Sequence, residues 1–184
     1  MQQIIGSRPS LITLPNSPMR FLIMDTPRAN NLHLYIKECK KHNVIAVTRV
    51  CEERLYEATE LRNAGIQLHE LPYPDGHSPP DDVLDTWLDL VHKVFFESGT
   101  HATTNENQPC IAVHCVAGLG RAPVLVAIAL IEFGNMDPVE AVVKIRKVRR
   151  GAINDKQLSW LESYKKRYKK HKGASSGGGC CVIC

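Results

Sequence analysis

The stretch CIAVHCVAGLGRAPVLVA (110–127) decides the fold of this 184-residue chain. Its first five residues, CIAVH (110–114), predict a short buried strand, and APVLVAIALIEF (122–133) is apolar on most faces, as expected for a central helix. A buried strand that leads through a short loop into a buried helix is typical of an α/β domain. Ligands bind at the carboxyl ends of the strands in such sheets, so the loop is the first candidate for a functional site.

Strands and helices are predicted to alternate on both sides of this stretch. Strands are expected at 19–25, 44–50 and 66–71, and helices at 32–41, 54–65, 79–96, 137–149 and from about 154 onward. Ser78 is the expected N-cap of the 79–96 helix, and the last helix is expected to carry the basic run. This alternation predicts an α/β fold with a mainly parallel sheet flanked by helices on both faces.

The chain is expected to divide into one domain with tails. Residues 1–18 are interpreted as an extended lead-in or edge strand, 19–164 as the domain, 165–172 as a polybasic segment and 173–184 as a flexible tail. The formal charge is +4, but the polybasic segment holds six Lys and Arg with no acid after it, which leaves the rest slightly acidic. Such asymmetry predicts an acidic surface as the partner of the tail.

The loop that follows the 110–114 strand has the residue types of a phosphate site with a nucleophile. Loop amides and the positive end of the next helix would stabilise the thiolate of Cys115, which is the nucleophilic form. The glycines let successive N–H groups converge on one phosphate, and the planar guanidinium of Arg121 can grip two phosphoryl oxygens. His114 is expected to orient the loop by hydrogen bonds. The predicted phosphate-binding residues are Val116, Ala117, Gly118, Leu119, Gly120 and Arg121.

A cysteine phosphatase also needs an acid that protonates the leaving oxygen. Asp75 is the leading candidate, because it lies in the turn-rich segment PYPDGHSPP (72–80) and Gly76 permits a mobile lid. A simple turn Asp-Gly is the alternative interpretation. Asp81 and Asp82 are more simply explained as acids in the first turn of a helix.

The residue after the arginine predicts slow turnover. Phosphatases with this loop commonly have Ser or Thr there, whose hydroxyl bonds the leaving thiolate when the intermediate breaks down, but this chain has Ala122. A long-lived phosphocysteine is therefore expected. The loop also lacks lysine, and Val116, Ala117 and Leu119 make its floor apolar, which favours phosphotyrosine over highly charged inositol phosphates.

The seven cysteines do not form the pattern of a secreted disulfide framework or of a structural zinc site. We therefore expect a cytosolic domain that needs no metal and no other cofactor.

Cys39 and Cys110 are interpreted as core residues, and so are Trp87 and Trp160. Asn154 and Gln157 could position a water molecule, but an N-x-x-Q capping box is the favoured interpretation.

The last four residues, Cys181-Val182-Ile183-Cys184, fit a C-a-a-X prenylation box. Farnesylation and methylation are expected at Cys181, and Cys180 could be palmitoylated. One prenyl chain binds membranes only marginally, so the polybasic segment would supply the second signal. This predicts attachment to the cytoplasmic face of the plasma membrane or endosomes, with a soluble cytosolic fraction if the chain is unprenylated. No aromatic stacking platform supports nucleic-acid binding.

The segments HCVAGLGRAPVLVA (114–127) and RRGAINDKQL (149–158), with the basic tail and its box, resemble the phosphatase of regenerating liver family. The resemblance implies a cysteine phosphatase fold of the dual-specificity type and a weak, prenylated tyrosine phosphatase. It implies Asp75 as the general acid, although Pro74 replaces the first of two aspartates in the family motif. It also implies a regulatory disulfide between Cys51 and Cys115. Cyclin M-type magnesium transporters are implied as partners, homo-oligomers are compatible with it, and the polar insert 99–108 departs from the pattern.

Two functions remain open from the residues alone. The chain is either a membrane-tethered protein tyrosine or dual-specificity phosphatase, or a near-inactive phosphatase that acts as a binding module for a transporter. Asp75, Cys115 and Arg121 favour the enzyme, whereas Ala122 supports the binding module. A rhodanese-like sulfur transferase fits the glycine loop and the acid less well.

Overall fold

The computed structural model describes residues 5–97 and 108–168. Five strands form one sheet in the order β1-β2-β5-β3-β4, in which β1 pairs antiparallel with β2 and the other neighbours are parallel. The edge-strand alternative for the N-terminal segment is the one observed. The strands are β1 (Ser10–Thr13), β2 (Arg20–Met24), β3 (Val44–Arg49), β4 (Gln67–Glu70) and β5 (Cys110–His114).

Helices cover both faces of the sheet, so the α/β prediction is confirmed. One apolar core contains Phe21, Ile111 and Val113 from the central strands with residues of α3 to α6, and the other contains Leu22 and Ala112 with residues of α1 and α2. Alternate strand residues therefore supply opposite cores. The helices are α1 (Leu32–Lys41), α2 (Ala58–Asn63), α3 (Asp81–His92), a π-helical turn (Lys93–Glu97), α4 (Arg121–Gly134), α5 (Pro138–Val148) and α6 (Asp155–Ser163).

The candidate loop lies at the middle of the carboxyl edge of the sheet. His114, the last residue of β5, pairs in register with Met24 of β2 and with Arg49 of β3. Cys115 follows directly, and α4 begins at Arg121 with Gly120 in the N-cap position. All residues of α4 from Arg121 to Ile131 are buried, which explains why its sequence is apolar on every face.

Three predicted helix boundaries are wrong. The helix predicted at 54–65 begins only at Ala58, because Tyr56 turns into the core and its carbonyl oxygen accepts a hydrogen bond from Arg49. Pro80, not Ser78, occupies the N-cap position of α3. The last helix ends at Ser163, so it does not carry the basic run.

Within the described ranges, no helix is long and apolar enough to cross a membrane.

Candidate active site

A pocket of about 320 Å³ opens at the amino end of α4 and contains the predicted catalytic side chains. Cys115 and Arg121 form its base, and Asp75 with Gly76 approaches from the loop before α3. Of the loop residues predicted to bind phosphate, all but Gly118 line the pocket. The remaining lining residues are Val116, Ala117, Leu119, Gly120, Gly151, Asn154 and Gln157.

The carbonyl groups of the loop are held by partners that do not line the pocket. The amide of Thr26 donates to the oxygen of Val116 at 3.0 Å, and the amide of Ile153 donates to that of Leu119 at 2.7 Å. The guanidinium of Arg149 donates to the other two, with 3.0 Å from Nη2 to the oxygen of Ala117 and 2.6 Å from Nε to that of Gly118. All four loop carbonyls, from residues 116 to 119, are therefore fixed.

Fixing these carbonyls also fixes the amides. The described chain has no cis peptide bond, and in a trans peptide the N–H group points opposite to the preceding carbonyl. The amides of residues 117–120 are thus directed away from the partners of the carbonyls, and among the described residues they donate to no backbone oxygen. This arrangement of converging N–H groups can bind an anion.

Arg149 is the buried residue that supports the loop from behind. Besides the two loop oxygens, its guanidinium donates to the carbonyl oxygen of Arg8 and to the hydroxyls of Ser7 and Ser10. Burial lowers the pKa of this guanidinium. Gly118 packs against the same group: its φ is +68°, and a Cβ atom there would collide with Arg149 and with the carbonyl oxygen of Met24. Only glycine fits this position.

Arg121 is oriented by Tyr73. Its side chain is 3% exposed; Nη1 donates to the carbonyl oxygen of Tyr73 at 3.0 Å, and the hydroxyl of Tyr73 donates back to the carbonyl oxygen of Arg121 at 3.0 Å. Burial raises the pKa of Tyr73, so its hydroxyl keeps the proton that it donates. The Nε atom of Arg121 is buried and has no hydrogen-bond acceptor in the described part of the chain. An anion in the pocket could provide one.

Asp75 extends over this pocket from the solvent side. Its carboxylate is 76% exposed, and its Oδ1 lies 3.2 Å from Nε of Arg121, outside the direction of the N–H bond. Gly76 has a φ of +73° with open space around it. The acid therefore lies close to Arg121, the phosphate clamp of the pocket, and can still exchange protons with water.

His114 is a neutral positioning residue beneath the loop. Burial lowers its pKa to about 4. Its Nε2 lies 2.7 Å from the hydroxyl of Tyr56, and its Nδ1 lies 3.4 Å from the carbonyl oxygen of Cys115. A neutral ring satisfies both contacts when Nδ1 carries the proton and Tyr56 donates to Nε2. His114 therefore connects the backbone of Cys115 to the buried Tyr56. Both ring nitrogens are used in these two contacts, which is the geometry of a positioning residue and not of a base.

Cys51 lies beside the nucleophile at the same edge of the sheet. The amide of Val50 donates to the carbonyl oxygen of His114 at 2.9 Å, so the residues that follow β3 and β5 are neighbours. Cys51 and Cys115 belong to one buried cluster, and both are free thiols. Burial raises the pKa of Cys51, while the nearby charge of Arg121 lowers it.

The first residues of the polybasic segment pack on the domain. Arg167 forms ion pairs with Asp81 and, at 3.1 Å, with Asp85. Glu132 accepts hydrogen bonds from the hydroxyl of Tyr164 at 2.6 Å and from the amide of Arg167 at 2.8 Å. The rest of the polybasic segment, Cys180 and the box at Cys181, as well as most of the insert 99–108, lie outside the described residues.

Asn154 and Gln157 form the capping box of α6 that the sequence favoured. The Asn154 side chain accepts from the amide of Gln157 at 2.9 Å, and Oε1 of Gln157 accepts from the amide of Asn154 at 3.1 Å. Both residues also line the pocket, which the favoured interpretation did not include. Cys39, Cys110 and Trp87 are core residues as predicted, whereas Trp160 is only partly buried.

The sequence interpretation did not identify three positioning residues, Tyr73, Tyr56 and Arg149. They hold Arg121, His114 and the loop carbonyls, respectively. Arg149 and its exposed neighbour Arg150 look alike in the sequence, and only the fold brings one of them beneath the loop.

Among the residues described, no group of three or more His, Cys, Asp or Glu could hold a metal ion.

Comparisons with known proteins agree with this geometry. Residues 16–173 match the family described as "Swiss Army Knife protein, DSP-PTPase phosphatase domain". The chain is 46% identical over 166 residues to the PRL-1 phosphatase of Drosophila melanogaster, covering 90% of this chain and 89% of the relative. It is 43% identical over 179 residues to human protein tyrosine phosphatase type IVA 3, covering 96% and 98%. A solved structure of a protein tyrosine phosphatase from Leishmania major superposes with a TM-score of 0.77 at 40% identity, covering 87% of this chain and all of that one.

Proposed function

Because this chain belongs to the type IVA, or phosphatase of regenerating liver, family of cysteine-dependent protein tyrosine phosphatases, we propose that Cys115, Arg121 and Asp75 carry out its reaction. The observation that carries the proposal is that these three side chains line one pocket. The pocket is formed around the loop 116–119, whose carbonyl oxygens all accept hydrogen bonds from residues that do not line the pocket. Phosphoproteins are the substrate class that the family implies.

In the first step, the Cys115 thiolate attacks the phosphorus of the substrate. The S–P bond forms and the bond from phosphorus to the substrate oxygen breaks, while Asp75 gives its proton to that oxygen. Arg121 and the amides of the loop bind the non-bridging oxygens, on which negative charge accumulates. The 3.2 Å separation of Asp75 and Arg121 Nε brings the acid close to the bound phosphoryl group.

In the second step, water hydrolyses the phosphocysteine. The carboxylate of Asp75 takes a proton from the water, the new oxygen–phosphorus bond forms, and the S–P bond breaks to regenerate the thiolate. Ala122 is fully buried and has no hydroxyl to stabilise the departing sulfur. We therefore infer slow hydrolysis of the intermediate. The loop residues Val116 and Leu119, both partly exposed apolar side chains, favour phosphotyrosine in this pocket.

The experiment is a kinetic comparison on an aryl phosphate. Wild type should turn over, Cys115→Ser should be inactive, and Asp75→Asn should lose about 10²-fold in kcat/KM. Asp81→Asn is the matched control, because Asp81 pairs with Arg167 and does not line the pocket. Equal losses in the two aspartate variants would contradict the assignment of the acid.

Membrane attachment is proposed from the C-a-a-X box at Cys181 and the polybasic segment. The localisation would be the cytoplasmic face of the plasma membrane or endosomes. Arg167 is already paired with acids of the domain, so the electrostatic part of the anchor would depend mainly on the five lysines of the segment 165–172. Cys181→Ser should move the full chain to the soluble fraction, and persistence on membranes would refute the anchor.

A second candidate function is supported by Ala122 alone. If hydrolysis is very slow, the pocket could serve chiefly to engage a cyclin M-type magnesium transporter, as the family resemblance implies. Binding of such a transporter domain to wild type, Cys115→Ser and Asp75→Asn should then persist when activity is lost. Activity at ordinary phosphatase rates without any binding would exclude this function.

Reversible oxidation is proposed for Cys51 and Cys115. Hydrogen peroxide would take two electrons and two protons from the two thiols, forming the disulfide and water. The 2.9 Å hydrogen bond from the amide of Val50 to the carbonyl oxygen of His114 makes the two cysteines that follow neighbours, which supports the pairing. Peptide mapping after mild peroxide treatment should find a Cys51–Cys115 disulfide, and Cys51→Ser should instead leave Cys115 open to irreversible oxidation. A map without this disulfide would contradict the proposal.

A further inference from the structure

A second cavity of about 230 Å³ adjoins the phosphate pocket. The two cavities share Gly76 and Gln157 as lining residues, so they adjoin at these two residues. The phosphate pocket is enclosed by loop backbone and charged side chains. The second cavity has different chemistry.

The inner wall of this second cavity is apolar. It is made by Val124, which is buried in the first turns of α4, and by the ring of Trp160 on α6. Trp160 packs at one side against Tyr164, with ring centroids 5.5 Å apart, and its remaining surface is partly exposed. A large aromatic residue that the core covers incompletely leaves apolar surface available to a ligand.

The rim of the cavity is polar. Lys156, an exposed residue in the first turn of α6, lines it on one side. His77 lines it on the other side and belongs to the loop 72–80 that carries Asp75, called the acid loop below. His77 Nδ1 lies 3.0 Å from the carbonyl oxygen of Asp75, so this wall is in contact with the backbone of the acid. An apolar floor with a cation at the rim fits an apolar group that has a carboxylate beside it.

We propose that this cavity is a substrate-specificity subsite that takes a large apolar side chain near the phosphotyrosine of a protein substrate. The inference rests on the proposed function of the neighbouring pocket. A peptide with its phosphotyrosine bound at Cys115 is tethered beside the cavity and carries neighbouring side chains past Gly76 and Gln157. An acidic residue next to the apolar one would contact Lys156.

The test compares phosphotyrosine peptides with the full chain. The parent peptide has Ser at the two positions on each side of the phosphotyrosine, and four derivatives carry one Leu each. At least one Leu peptide should exceed the parent by about tenfold in kcat/KM, the size expected for filling an apolar pocket. Because kcat/KM reports steps up to the first irreversible one, slow hydrolysis of the phosphocysteine does not obscure the preference.

Trp160→Ala should reduce this preference to below about threefold, and Trp160→Phe should retain most of it. An aryl phosphate is too small to reach the cavity, so both variants should hydrolyse it within about twofold of wild type. Equal kcat/KM for all five peptides, or an unchanged preference in Trp160→Ala, would overturn the subsite. A wild type that hydrolyses no aryl phosphate would instead contradict the proposed function.

A second variant does not depend on the packing of Trp160. Adding Glu beside the preferred Leu should raise kcat/KM by about threefold, as expected for an exposed ion pair, and Lys156→Glu should reverse the effect. The gain should fall in high salt. An identical Glu effect in wild type and Lys156→Glu would refute the contact with Lys156.

Discussion

Tyr73 and Arg121 exchange two hydrogen bonds of 3.0 Å, one from the tyrosine hydroxyl to the arginine carbonyl oxygen and one from the guanidinium to the tyrosine carbonyl oxygen. Tyr73 precedes Asp75 by two residues, and Arg121 begins α4. The two hydrogen bonds therefore connect the start of the acid loop to the phosphate clamp and fix the positions of both.

Removing the Tyr73 hydroxyl should impair catalysis more than stability. Tyr73→Phe loses one hydrogen bond, which costs about 1 kcal/mol of unfolding free energy, and we expect kcat/KM on an aryl phosphate to fall about tenfold because the acid loop is less well placed. Tyr164→Phe, which loses its bond to Glu132 away from the pocket, is the control. Unchanged kcat/KM in Tyr73→Phe would exclude a positioning role.

Arg149 should determine whether the loop can bind an anion. Arg149→Ala removes the donors to the oxygens of Ala117 and Gly118, so vanadate affinity should fall at least tenfold, measured by calorimetry. Arg149→Lys should recover only part of it, because lysine lacks the planar fork. The neighbouring Arg150→Ala, at an exposed position, should bind as wild type does; a similar loss there would indicate a general charge effect.

Ala122 should limit hydrolysis of the intermediate. Ala122→Ser restores the hydroxyl that phosphatases with this loop commonly have after the arginine, and we expect steady-state turnover to rise several-fold and the phosphocysteine to decay faster in single-turnover experiments. Ala127→Ser, one and a half turns further along α4, is the control for adding a hydroxyl to this buried helix. An unchanged intermediate lifetime in Ala122→Ser would show that the missing hydroxyl is not the cause of slow turnover.

His114 should make the domain sensitive to acid. Its pKa is about 4 in the folded protein, because burial lowers it with help from Arg49, against an ordinary value near 6.5. The unfolded chain therefore binds more protons between these values, and unfolding is favoured as the pH falls from about 6.5 to about 4. The loss approaches about 1.4 kcal/mol per pH unit and about 3 kcal/mol in total.

Urea unfolding of wild type and His114→Gln between pH 7 and pH 4.5 measures this effect. The free energy of unfolding of wild type should fall more steeply on acidification than that of the variant, since carboxylates contribute equally to both. Parallel curves would mean that folding does not lower the pKa of His114.

Much of this fold was predictable because local signals and tertiary contacts agree. The α1 and β5 ranges match the predicted 32–41 and 110–114, where apolar spacing and β-branched residues point to the structure that burial also favours. The mainly parallel sheet and the family are confirmed as well. The pocket brings together Cys115, Arg121 and Asp75, which residue types and spacing had singled out.

Two of the three boundary errors occur where a distant residue overrides the local pattern. Tyr56 leaves the predicted helix to reach His114, 58 residues away, and α6 ends before the basic run where Tyr164 bonds to Glu132. Arg149 was missed for the same reason, since its contacts with Gly118 and Ser7 join parts of the chain far apart in sequence. Helical spacing contains no information about such partners.

Mass spectrometry of Cys115 in the full chain during exposure to an aryl phosphate is the most direct measurement. A phosphoryl group should be found on the Cys115 peptide, should accumulate because its hydrolysis is slow, and should be absent from Cys115→Ser along with turnover. Turnover that persists in Cys115→Ser, or a wild type that turns over without any adduct on this sulfur, would contradict the account.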